Sequence, residues 1–223
     1  MRNVIFDFGG VLLDLEPERC KAAFRELGFD EIDSLLDTAH QRGILDQMER
    51  GLITVDAFCG YVASRIRQSG RDADATSLDG RILDAWRSMA DGIPGFRLDF
   101  IADLKAKGYH VAALSNTNVV HWAYCRPMFL TAGYEPETLF EHVWLSCDLH
   151  LAKPDPEVFR RVLALSGYEP HETLFVDDSE TNCRVAASFG LNVYAPPMTA
   201  VRSGAPRVSD WREAVLQRIE PRS

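Results

Sequence analysis

Long apolar runs are missing from this chain. No stretch approaches the roughly 20 consecutive apolar residues that a membrane-spanning helix requires. The run that follows Met1-Arg2-Asn3 meets Asp7 too early to read as a signal peptide. Paired cysteines are missing as well. Cys20, Cys59, Cys125, Cys147 and Cys183 are scattered, odd in number and form no C-x-x-C pair. That pattern speaks against a disulfide framework or a thiolate zinc site, and fits reduced thiols that fill core space. Positive charge is in deficit, with 24 Lys and Arg against 33 Asp and Glu, a net charge of -9. A broad face for nucleic acid or an anionic membrane is therefore not expected. The expectation is a cytoplasmic protein, monomer or homodimer, whose partner is a small molecule rather than nucleic acid or membrane.

Apolar residues make up 46% of the 223 residues, enough for a full core without staples. Short apolar runs read as buried parallel strands at 3–7, 109–115, 143–146, 173–177 and 191–194. Helical patterns at about 97–107, 119–125, 155–166 and 179–189 alternate with them, which predicts an α/β fold with a doubly wound, mostly parallel sheet. One interval breaks the alternation. From Leu15 to about Met89 helical patterns follow one another at 17–27, 30–40, 43–50, 55–68 and 78–89, with no strand-like run. The expected organisation is a core of residues 1–14 and 92–223 carrying an all-helical insert, 15–91. Asp91–Phe96 reads as the return linker, 195–206 as a loop and 209–219 as a closing helix.

Four polar features are predicted just beyond strands, where open parallel sheets gather ligands. They are Asp7 in Phe6-Asp7-Phe8-Gly9-Gly10, Ser115-Asn116-Thr117-Asn118, Lys153-Pro154 and Asp177-Asp178. Each alone reads equally well as a turn former or helix cap, but their chemistry is complementary. Clustered carboxylates repel unless a hard cation neutralises them, and all-oxygen donors suit Mg²⁺. A carboxylate is a competent nucleophile towards phosphorus. Lysine, a serine hydroxyl and backbone N–H groups hold phosphoryl oxygens.

The motif order, Asp, Ser, Lys and an acidic pair, resembles that of the haloacid dehalogenase-like superfamily, and the helical insert resembles a cap of its C1 type. Leu-Ser-Asn-Thr-Asn, Lys-Pro-Asp-Pro-Glu and Val-Asp-Asp-Ser-x-x-Asn resemble a bacterial subgroup that includes a sugar-1-phosphate phosphatase. The resemblance implies a phosphohydrolase acting on a small phosphate ester with Mg²⁺. It makes Asp7 the nucleophile and a metal ligand, with the Gly9 carbonyl, Asp178 and, through water, Asp177 completing the metal set. Ser115, Asn116, Thr117 and Lys153 would hold the phosphoryl group, and Asn182 would orient the last motif.

Position 9 departs from the family pattern. A second Asp usually stands two residues after the nucleophile as general acid and base, and here it is Gly9. Losing such a group costs on the order of 10²–10⁴ in rate, least when the leaving group is already good. Asp14, Glu16 and His121 are the candidate replacements, each with a structural alternative as helix cap or helix-face residue. Trp86, Arg42, Gln47, Trp122 and Thr117-Asn118 are candidates for specificity, while Met48, Phe58 and Tyr61 read as core of the insert. Two other readings stay open. One is a metal-independent 2-haloacid dehalogenase; the other is a binding or regulatory protein of the same fold, with chemistry weakened by Gly9.

Overall fold

Asn3–Phe6 is buried at every position, a pattern that requires a strand covered on both faces. The computed structural model describes residues 1–36, 41–70, 78–199 and 207–220. Its strands are β1 (Asn3–Phe6), β2 (Asp14–Leu15), β3 (Ala90–Gly92), β4 (His110–Ser115), β5 (His142–Leu145), β6 (Thr173–Val176), β7 (Asn192–Tyr194), β8 (Met198–Thr199) and β9 (Arg207–Val208). β1 is the middle of a parallel sheet of order β5-β4-β1-β6-β7. Phe6 pairs with Ala113 on one side and Val176 on the other. The carboxyl ends of β1 and β6 are therefore level, β4 runs two residues further to Ser115, and the residues that follow emerge at one edge.

Helices α1 (Pro17–Leu27), α2 (Ile32–Leu35), α3 (Ile44–Glu49), α4 (Val55–Gln68) and α5 (Leu78–Arg87) lie between β2 and β3. After β3 come α6 (Gly95–Ala106), α7 (Val119–Thr131), α8 (Pro136–Leu139), α9 (Ser146–Leu149), α10 (Pro156–Ser166), α11 (Glu180–Ser188) and α12 (Arg212–Ile219). Strand residues alternate between two cores, as a period of two requires. Val4, Phe6, Val111, Ala113, Leu174 and Val176 pack with Leu98, Ile101, Phe129, Trp211 and Val215 on one face. Ile5, Ala112, Leu114 and Phe175 pack with Val158, Phe159, Val162 and Ala186 on the other. The insert has a third core, built on Phe24, Phe29, Met48, Phe58, Ile82 and Trp86 with Tyr61 at its margin. Among the described residues no helix is long and apolar enough to cross a membrane, and all five cysteines are buried and unpaired.

Several elements differ from the sequence reading. The expected linker at 91–96 instead contributes to β3, which pairs antiparallel with β2 and closes the base of the insert. Arg97 anchors this junction from a buried position, donating to the Leu12 carbonyl at 3.1 Å and to Asp14 at 2.9 Å. α7 runs through Pro127 to Thr131, because the buried Cys125 and Phe129 keep its face on the core despite the missing N–H. Part of the predicted loop at 195–206 forms β8, which pairs with β9. Only Ile32–Leu35 is helical within the expected 30–40 helix, whose residues 37–40 fall outside the described residues.

The insert touches the core closely at Gly51. Its φ is +62°, and a Cβ there would stand 2.3 Å from the Cys147 carbonyl oxygen. Gly51→Ala is expected to destabilise the protein by about 1–3 kcal/mol, the scale of an unfavourable left-handed residue. Gly60 lies in α4, where a Cβ has nothing within 4 Å, and Gly60→Ala should stabilise by roughly 0.5–1 kcal/mol. Urea unfolding of both variants reads the contrast, and equal effects would contradict it.

Candidate active site

The level strand ends deliver three carboxylates to one place. Asp7 follows β1, its amide donating to the Val176 carbonyl at 2.8 Å, and Asp177 and Asp178 follow β6. Carboxylate oxygens of all three lie within 4.8 Å of one another. Lys153 reaches into this group. Its Nζ stands 2.7 Å from Asp7 Oδ1, 2.7 Å from Asp177 Oδ2 and 3.0 Å from the Leu114 carbonyl, with the Phe175 ring beside it. The lysine does not directly follow its strand as the sequence reading had it. α9 intervenes after β5, and the chain returns to the sheet edge at residue 153. Asn116 holds it there: its side chain accepts from the Lys153 N–H and donates to the Lys153 carbonyl, each at 2.8 Å.

Asp177 is fully enclosed, and its oxygens are taken up by the protein itself. They accept from Lys153, from the Ser179 N–H at 2.8 Å and from Asn182 Nδ2 at 3.0 and 3.1 Å. It therefore orients Lys153, while Asp7 and Asp178 are left to face incoming groups. Burial, followed by the Asp177 charge, pushes Asp178 up to about 6. Burial together with Asp177 and Asp178 also holds Asp7 well above the usual carboxylate range, with Lys153 pulling the other way. Burial alone would lower the Lys153 ammonium; Asp177 and Asp7 outweigh it and hold the lysine above its ordinary range.

Three carboxylates against one ammonium leave an uncompensated negative charge, and the donors are all hard oxygens, so the group fits a Mg²⁺-sized dication. The turn after β1 fits it too. Leu12 and Leu13 N–H groups return to the Phe8 carbonyl, and Gly10, at φ +81°, passes so close to Asp178 that a Cβ would stand 2.5 Å from Oδ2. A side chain at residue 10 would fill the space in front of that carboxylate. Above this edge lies a cavity of about 980 Å³, lined from below by Asp7, Gly9, Ser115, Asn116, Thr117, Lys153 and Asp178. Glu16, Leu36, Gln41, Glu49 and Met89 line it from the insert.

A sequence profile of haloacid dehalogenase-like hydrolases matches residues 1–190. The chain belongs to that family. A D-ribitol-5-phosphate phosphatase of Bacteroides thetaiotaomicron is 34% identical over 215 residues, 96% of each chain. A crystal structure of a haloacid dehalogenase family enzyme from the same organism, in complex with magnesium and inorganic phosphate, superposes with a TM-score of 0.76 at 37% identity, covering 91% of this chain and 98% of that one. A predicted family hydrolase from Porphyromonas gingivalis gives a TM-score of 0.83 at 27% identity, covering 100% and 99%.

In this hydrolase the sequence candidates separate. Asp14 lines the cavity, but its carboxylate is ion-paired to Arg97. His121 also lines the cavity, yet its Nε2 bonds the Trp86 carbonyl at 2.8 Å and its Nδ1 meets Asn118 at 3.3 Å. Burial lowers its pKa to about 4, so it is a neutral strut between insert and core. Asn118 caps α7, accepting from the Val120 and His121 N–H groups. Trp86 is core of the insert and Trp122 packs edge-on to Phe8. Arg42 and Gln47 are exposed and, like the two tryptophans, do not line the cavity. Thr117 lines the cavity, but its N–H is taken by Ser146 Oγ at 2.8 Å. Sequence reasoning missed Glu49, hidden in a helical pattern; the signal was a carboxylate on the same buried face as Leu45 and Met48.

The raised Asp178 pKa means that this group's contribution to the stability of the cation-free protein is greatest when it is protonated and is lost as pH rises from about 4 through 6. Mg²⁺ should reverse that loss. At about 100 times its Kd it adds roughly 2.7 kcal/mol, or about 5–10 °C in Tm for a chain of this size. The rise should be larger at about pH 7.5 than at about pH 5 and largely absent in Asp178→Asn. A pH-independent rise, read by thermal melting, would contradict the charge cluster as the binding site.

Proposed function

We propose that this hydrolase is a Mg²⁺-dependent phosphatase acting on small sugar or polyol phosphomonoesters through a phosphoryl intermediate on Asp7. The observation that carries this reading is the trio Asp7, Asp177 and Asp178, gathered around Lys153 at the floor of the cavity. Asp7 Oδ1 is held by Lys153 and, at 2.6 Å, by the Phe8 N–H. The carboxylate is thereby fixed in one orientation, as an in-line attack requires. Ser115, Asn116, Thr117 and Lys153 receive the phosphoryl oxygens. Asp7, Asp178 and the Gly9 carbonyl hold the cation, with Asp177 steadying Lys153 behind them. Bound there, Mg²⁺ would neutralise the repulsion between the carboxylates and an incoming phosphate dianion. The insert, residues 15–91, serves as the cap that encloses a small substrate and excludes water.

The substrate class is supported by the size of the cavity, by its mixed polar lining, and by the similarity to a ribitol-phosphate phosphatase. The metal-independent dehalogenase reading fits less well, because the Asp177-Asp178 pair would add repulsion with no cation to relieve it.

Phosphate release from a panel that includes ribitol 5-phosphate, glucose 1-phosphate and p-nitrophenyl phosphate tests the reading. Turnover should require Mg²⁺, stop in EDTA, and fall by more than about 10³-fold in Asp7→Asn, the scale on which removing a nucleophile acts. Release that survives Asp7→Asn, or chloride release from 2-haloacids in EDTA, would sink it.

A further inference from the structure

Breaking a P–O bond to an alkyl leaving group needs a proton for the departing oxygen, and residue 9 is a glycine with no proton to give. In an in-line displacement the leaving oxygen stands on the side of phosphorus opposite the nucleophile. With Asp7 on the floor of the cavity, that side is the one covered by the insert.

One short segment of the insert that lines this cavity is locked to the core. At the end of α3, the Glu49 carbonyl accepts from Ser146 Oγ at 2.6 Å, and the same hydroxyl accepts the Thr117 N–H at 2.8 Å. The next carbonyl, Arg50, bonds His150 Nδ1 at 2.9 Å. Gly51 then presses against the Cys147 carbonyl. Three successive insert residues are thus pinned to α9 and its flank, and through Ser146 to Thr117 in the loop that follows Ser115. Glu49 itself is only 6% exposed and lines the cavity. Among the described residues no hydrogen bond or ion pair engages its carboxyl.

We propose that Glu49 is the general acid, and then the general base, of the reaction, taking the place that Gly9 leaves empty. The proton passes from the Glu49 carboxyl to the ester oxygen as the bond from phosphorus to that oxygen breaks and the Asp7–phosphorus bond forms. The alcohol leaves neutral and Glu49 remains as a carboxylate. That carboxylate takes a proton from the water whose oxygen attacks phosphorus. Inorganic phosphate departs, Asp7 is regenerated and Glu49 is again protonated. Burial, followed by Asp46, pushes the Glu49 carboxyl up to about 8 against the opposing pull of Lys153 and Arg50. It therefore carries its proton at neutral pH and does not repel a phosphate dianion.

This role rests on the phosphatase reading, and leaving-group dependence separates the two. kcat/KM covers steps up to departure of the leaving group. An aryl phosphate needs little protonation at that stage, whereas an alkyl phosphate depends on it. In Glu49→Gln the ratio of kcat/KM for the best alkyl phosphate of the panel to that for p-nitrophenyl phosphate should fall by about 10²–10³-fold. A purely structural role for Glu49 would lower both together and leave the ratio unchanged, which overturns the proposal. Should Glu49→Gln fail to fold by thermal melting, Glu49→Ala with added imidazole, whose protonated form can supply the proton, decides instead. Restored alkyl-phosphate turnover supports the acid role, and its absence in folded protein counts against it. A wild-type protein that hydrolyses no phosphate ester removes the phosphatase reading and this role with it. An active wild type with an unchanged ratio removes only the role of Glu49.

Discussion

A single buried ammonium organises the reactive edge of this protein. Lys153 Nζ touches Asp7 after β1, the Leu114 carbonyl at the end of β4 and Asp177 after β6. An unpaired charge so deeply buried would cost several kcal/mol, so lysine and carboxylates exist there only as a unit. The surroundings serve that unit. Asn116 fixes the lysine backbone, Asn182 and the Ser179 N–H saturate Asp177, and β1 lies at the centre of the sheet between β4 and β6, its end level with that of β6. What remains facing the cavity is an excess of negative charge on Asp7 and Asp178, the condition for binding a hard cation.

Charge and proton are handled by different parts of the chain. The sheet edge supplies fixed charges, and a metal set there is compatible with glycine at position 9 because the backbone carbonyl remains. The insert supplies a carboxyl whose proton is retained by burial, held in place by Ser146, His150 and the close approach of Gly51. Placing the acid on the insert ties protonation to enclosure. In the proposed mechanism the group that protonates the leaving oxygen is carried by the segment that would shut out water.

Asp7, Ser115 and Asp177-Asp178 were legible because parallel strands deliver their ends to one edge, so a polar residue after each apolar run is a placed residue. Lys153 was recognised by its motif although α9 separates it from its strand. Of the replacements sought near the motifs, Glu16 lines the cavity and two are engaged elsewhere. His121 spends both ring nitrogens between insert and core, and Asp14 is bound to Arg97. Glu49 went unseen because helical periodicity says that a face is buried but not what lies on its far side.

The amino-acid sequence by itself determined the parallel sheet, the helical insert and the strand-end residues, since these follow from local apolar patterns and from where such patterns stop. Only the tertiary structure decided which insert residue looks into the cavity, which histidine is spent on packing, and which of two adjacent aspartates is saturated. Those outcomes depend on contacts between segments distant in the chain, such as Ser146 with Glu49 and Asn116 with Lys153. No periodicity within a single segment encodes such pairings.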